Sequence, residues 1–205
     1  MIALCRSIVA GMLGAACVVS VVAGAARPAA AENNAAPQGK LVELMPAVPG
    51  TRACFTRSYD AAHLRAHPKQ RVSALTFLLR VVRYDAKGDL FLTPQMGPDD
   101  RTEYQFAMEV KRRGQRKALR TGGYCYGDDV ATCVVECDGG GATLKPAAEG
   151  GALMVQLMDY GIRMTGDCDD EEGTWLRPGS DDKVFRVDKA APAACRALEK
   201  DELGD

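Results

Sequence analysis

His63 and His67 are the whole imidazole complement of the chain. At i and i+4 on one helix they would share a face and could hold a metal ion. Pro68 follows His67 directly and disfavours helical backbone at the residue before it, and no acid stands between the pair as in a metalloprotease helix. The spacing therefore predicts a capped surface turn with exposed imidazoles, and no metal or other cofactor is expected. A Ser-His-acid hydrolase would need one of the same two residues as its base. Beyond residue 31 the serines are Ser58, Ser73 and Ser180, and Ser180 lies in a Pro-Gly-Ser-Asp-Asp turn signal, not a Gly-x-Ser-x-Gly elbow. Cysteines oxidised to disulfides supply no thiolate nucleophile. No catalytic residue is assigned. Two-carboxylate chemistry stays open, because glycoside hydrolysis needs only a correctly spaced pair and acids are plentiful.

Two charged runs stand out. Residues 167–173 place Asp167, Asp169, Asp170, Glu171 and Glu172 around Cys168, with Gly173 one position too late for an EF-hand. A solvated acidic loop anchored by a disulfide is the reading. Opposite in sign, Lys111, Arg112, Arg113, Arg116 and Lys117 surround Gly114-Gln115, with Arg120 just beyond. Strands on both sides make this a hairpin tip. Such a tip can bind phosphates, acidic glycans or an acidic protein face, and these five cations are the candidate partner-binding residues. It can also simply blunt edge pairing. No aromatic residues interleave with the cations as on a single-strand binding surface, so nucleic acid is not an expected partner. Trp175, the sole tryptophan, reads as a core plug at a barrel end or, more sharply, as a stacking platform for sugar.

The elements that must position these groups follow from the rest of the 205 residues. Arg6 ends a short charged segment, residues 7–24 are apolar, and Pro28-Ala29-Ala30-Ala31 gives a breaker and small residues before polar Glu32. That order predicts a signal peptide over residues 1–31. The competing reading is an uncleaved anchor, since the run has about the minimum spanning length of 18 residues. No later run is long enough to span a bilayer. Removing residues 1–31 from 205 leaves 174, the size of one domain, and loss of Arg6 and Arg27 takes the formal net charge from −1 to −3. So small a charge implies neither nucleic acid nor a membrane surface as an obligate partner.

Cys54, Cys125, Cys133, Cys137, Cys168 and Cys195 remain, an even number suited to an oxidising compartment. Their pairing has many solutions, with Cys54 to Cys195 preferred because it ties the two ends of the domain. Residues 32–50, rich in Ala, Pro, Asn and Gly, read as a flexible arm ahead of a single β-rich domain over 51–205. One short helix is expected at residues 61–66, capped by Asp60 and ended by Pro68. Period-two runs then dominate, clearest in Tyr104, Phe106, Met108 and Val110. Turn signals such as Arg113-Gly114-Gln115 and Asp138-Gly139-Gly140-Gly141 separate them, and the latter needs no ligand to explain its glycines. The fold class is all-β: a small antiparallel β-barrel or sandwich of about eight strands, disulfide-stabilised.

Residues 59–68 and 133–141 resemble patterns in an uncharacterised family of small exported proteobacterial proteins. The resemblance covers most of the chain beyond residue 31. It implies a Gram-negative envelope location and carries no activity, substrate or site residue. The resulting expectation is a periplasmic or secreted, non-enzymatic binding protein that holds a small ligand in the barrel mouth or docks on an anionic envelope component or acidic protein surface. An inhibitor of a cell-wall hydrolase or protease is the first alternative, and a carboxylate-based glycan hydrolase the second.

Overall fold

Alternation of apolar and polar residues over the middle of the chain produces long strands with one buried face. A computed structural model describes residues 39–148, 151–165, 168 and 173–203. The expected signal peptide, residues 32–38 of the arm and the carboxylates of the acidic run lie outside the described residues. All described residues belong to one unit, Asn34–Asp205.

Eight antiparallel strands close into a barrel. In chain order they are β1 (Arg52–Ser58), β2 (Val72–Tyr84), β4 (Arg101–Arg112), β5 (Leu119–Tyr126), β6 (Ala131–Val134), β7 (Gly140–Pro146), β8 (Leu153–Arg163) and β10 (Val184–Ala190). Closure comes from β1, which pairs with β10 on one side and β2 on the other. Two short strands extend the wall: β3 (Leu90–Phe91) beside β2 and β9 (Trp175–Leu176) beside β8. Period two then sorts every strand into an inward and an outward set. Phe77 and Leu79, Tyr104, Phe106 and Met108, Val155 and Leu157, and Phe185 and Val187 point inward and are essentially inaccessible. Side chains therefore fill the interior, as in other small barrels.

The expected helix is present as α2 (Ala61–Ala66). Asp60 caps it by accepting the His63 backbone N–H at 2.7 Å, and it ends at His67, before Pro68. Two further helices were not anticipated. Helix α1 (Gly39–Leu44) forms within the stretch expected to be a flexible arm. Its Leu41 is fully buried and Met45 nearly so, both within the main core. The segment is ordered because burying those two side chains offsets the cost of fixing its backbone. The C-terminal 3-10 turn Pro192–Cys195 and helix α3 (Arg196–Leu203) lie against the outside of the barrel. Cys195 and Leu198 pack there with the outward-facing Cys54, Leu78 and Ala107 in a second, smaller core.

Three disulfides lock this arrangement: Cys54–Cys195, Cys125–Cys133 and Cys137–Cys168. The first is the end-to-end bridge preferred from sequence. The second joins residues directly opposite on β5 and β6.

The Tyr104 hydroxyl donates to the Met45 carbonyl at 2.6 Å, holding α1 in place. Burial pushes its pKa from 10.0 up to about 12. A phenol whose folded pKa exceeds its unfolded value contributes stability that is complete below pH 10 and is lost as pH rises towards 12. Tyr104→Phe is expected to cost about 1–2 kcal/mol at pH 7, because the Met45 carbonyl loses its donor. The same substitution should flatten the alkaline fall. Urea unfolding of both proteins at pH 8 and pH 11 checks this, and an unchanged alkaline slope in the variant would count against it.

Candidate binding cleft on the outer wall of the barrel

A concavity lies outside the barrel, on the wall formed by β2, β4 and β5. It measures about 780 Å3. Strand register assembles its floor: Arg80 on β2 stands opposite Gln105 on β4, which stands opposite Tyr124 on β5. Gly122, opposite Ala107 on β4, adds no side chain to the lining. Gly123 beside it is required for close approach, since a Cβ there would sit 2.1 Å from the Val134 carbonyl oxygen.

A hydrogen-bonded network fixes the polar groups of this floor. The Gln105 carbonyl oxygen accepts from Arg80 Nε at 3.2 Å and Nη2 at 2.8 Å. Its amide nitrogen donates to the Tyr84 hydroxyl at 2.7 Å and to Glu103 Oε1 at 3.2 Å. Arg101 lies over the Tyr84 ring, 4.9 Å from its centroid. Desolvation, reinforced by the nearby Glu103 charge, raises the Tyr84 pKa, so its hydroxyl stays protonated at neutral pH. Tyr124 is exposed on the far side and leans against Tyr126 with ring centroids 6.0 Å apart.

The β6–β7 turn closes one edge. Gly139 N–H donates to the Glu136 carbonyl, and both central residues, Cys137 and Asp138, have positive φ of 56° and 55°. Two left-handed residues in succession give the tight hairpin geometry matched to strand twist. The turn sets Val135, Glu136 and Cys137 along the cleft, and the Cys137–Cys168 disulfide brings Cys168 to the same margin. Arg163 lines the cleft from β8 and also covers the Trp175 ring at 5.7 Å, with Arg177 at 5.3 Å. Trp175 is only half-buried, and its neighbour Leu176 is the residue that enters the core. The Trp175 indole thus packs against two guanidiniums.

The five basic candidates do sit at a hairpin tip, with Lys111 and Arg112 ending β4 and Arg113, Arg116 and Lys117 in the turn to β5. Their side chains have different surroundings. Arg113 turns back towards α2, its Nη1 within 3.4 Å of the Leu64, Pro68 and Gln70 carbonyl oxygens. Arg112 Nε donates to Gln115 Oε1 at 2.9 Å. Lys111, Arg116 and Lys117 face solvent. His63 and His67 are stacked, ring centroids 4.4 Å apart, and His63 Nε2 lies 2.9 Å from Gln70 Oε1. Near-parallel rings do not converge on a common ion. Among the described residues no group of three or more His, Cys, Asp or Glu is placed to hold a metal.

Comparisons of the chain with family models, with curated proteins and with solved structures find no match. The cleft is therefore read from its own geometry. Sequence reasoning missed it, although Arg80 left a signal as the one charge inside the apolar run from Leu75 to Val82.

Proposed function

We propose that the chain is an exported, non-enzymatic binding protein of the cell envelope, periplasmic or secreted, that holds a short glycan in the outer-wall cleft. The observation that carries this reading is the fixed Arg80–Gln105–Tyr84–Glu103 network beside the exposed Tyr124 ring. Planar guanidinium, amide and carboxylate groups match pairs of adjacent hydroxyls, and a tyrosine face accepts the apolar face of a sugar ring. Preorganised donors and acceptors lower the ordering cost of binding. Three disulfides support an oxidising compartment. Among the described residues no helix is long and apolar enough to cross a membrane.

Titration with N-acetylglucosamine oligomers, followed by native mass spectrometry, tests the proposal. A one-to-one adduct is expected, weakened about tenfold by Tyr124→Ala, the scale of a truncated aromatic anchor. An absence of adducts, or equal affinity in Tyr124→Ala and Gln105→Ala, would overturn it.

A second reading rests on one further observation: Glu103 and Glu136 both line the cleft. A carboxylate pair across a glycan is the equipment of a glycoside hydrolase. Shortened oligomers in the same titration, lost in Glu103→Gln or Glu136→Gln, would establish turnover in place of simple binding.

A further inference from the structure

We infer that the notch between the β4–β5 hairpin and the α2–β2 connection is a second binding site, specific for a terminal phosphate group. Pro68, Gln70, Arg71, Arg112, Arg113 and Gln115 line a cavity of about 280 Å3 there. It shares no residue with the outer-wall cleft. Arg112 lies seven positions along β4 from Gln105, roughly 23 Å of strand.

Three arginines line the notch, Arg71 from one segment and the consecutive Arg112 and Arg113 from another, and each has a hydrogen-bonded partner. Arg71 donates through Nη2 to the Arg177 carbonyl at 3.1 Å, with Nε 3.5 Å from Asp182 Oδ2. Arg112 is fixed by Gln115, and Arg113 by the three carbonyls beneath α2. Each guanidinium has five N–H donors, and these contacts use only part of them. The rest meet no acceptor among the described residues.

Among the described residues one carboxylate meets the set, Asp182, 3.5 Å from Arg71 Nε. Asp182 is buried and accepts the backbone N–H groups of Arg71 at 2.7 Å and Val72 at 3.2 Å. Asp181 accepts the Lys69 N–H at 3.2 Å. Arg112 and Arg113 have no ion pair with any described residue. Lys111, Arg116 and Lys117 add to the positive potential from the solvent side, which raises local anion concentration.

Several guanidinium donors around one notch suit a tetrahedral dianion better than a carboxylate, whose two oxygens lie in one plane. Free phosphate and a phosphate borne on a sugar present the same group.

Isothermal titration of the folded protein at low ionic strength, with inorganic phosphate, glucose 6-phosphate and acetate as separate probes, tests the site. Both phosphate compounds should bind and acetate should not. Arg112→Ser and Arg71→Ser should each weaken binding about tenfold, the size of a lost charge-assisted hydrogen bond. Arg112→Lys, which keeps the charge and loses the fork, should restore only part of it. Arg116→Ser and Lys117→Ser, outside the notch, should stay within about twofold. Equal affinity for the two phosphate compounds assigns the site to the free anion, and tighter glucose 6-phosphate assigns it to a sugar-borne group. Absence of phosphate binding, acetate binding as tightly, or equal losses from the Arg116 and Arg112 changes would each overturn the site. Such a failure leaves glycan binding in the separate cleft untouched.

Discussion

Replacing Cys54 and Cys195 together by alanine is expected to lower stability by about 5 kcal/mol, the loop-closure entropy released by a cross-link of this span. The two residues are 141 apart in sequence, against 8 for Cys125 and Cys133. The same relation gives the shorter bridge only about 2.5 kcal/mol. The long bridge also holds the C-terminal turn and α3 against the wall, where Cys195 and Leu198 cover Leu78 and Ala107. An ion pair between Arg52 and Glu199 at 2.9 Å is the other tie, and its exposed arginine makes it weak. Urea unfolding of C54A/C195A and C125A/C133A beside the parent should therefore rank the losses in that order. In thermal unfolding the first variant should melt some 10–20 °C lower. Equal losses would mean that loop closure does not govern the stability of this barrel.

The strands were legible because one face of each is buried against a single core, and burial imposes period two on the sequence. Tyr104, Phe106, Met108 and Val110 alternate without a break, and all four are inaccessible. Closure of the sheet brings β1 beside β10, which is why a bridge from Cys54 to the far end of the chain is short. Helix α1 was not legible. Buried Leu41 within it and Met45 just after it are too few for a periodic signal in a stretch rich in Ala, Pro and Gly. The outer-wall cleft was hidden for a different reason. Arg80, Gln105 and Tyr124 are ordinary outward-facing residues, and only strand register sets them side by side. The basic tip was legible as a hairpin end. That Arg113 points back to carbonyls 43 to 49 residues earlier depends on tertiary packing that no local pattern encodes.

Leu41→Ala combined with Met45→Ala is expected to cost about 5 kcal/mol, near the upper end for one large core truncation. Each change alone removes a side chain packed in the main core and should cost about 2–4 kcal/mol. The pair should fall short of the sum, because both side chains pack in the main core, Met45 N–H donating to the Leu41 carbonyl at 2.9 Å, and a cavity opened by the first lowers what the second can lose. Tyr104 adds coupling, since its hydroxyl depends on the Met45 carbonyl and so on α1 staying seated. Val42 supplies the control. It lies on the same helix but is 46% exposed, so Val42→Ser should change stability by no more than about 0.5 kcal/mol. A loss below about 1 kcal/mol in the double variant, measured by urea unfolding, would mean that the barrel closes its core without α1. The segment would then be the detachable arm its composition suggests. A loss near the expected value makes α1 part of the cooperative unit, and Tyr104→Phe should then add less in that background than in the parent. The residues around α1, read alone, look like a linker, and two apolar side chains in the main core, Leu41 and Met45, decide which description holds.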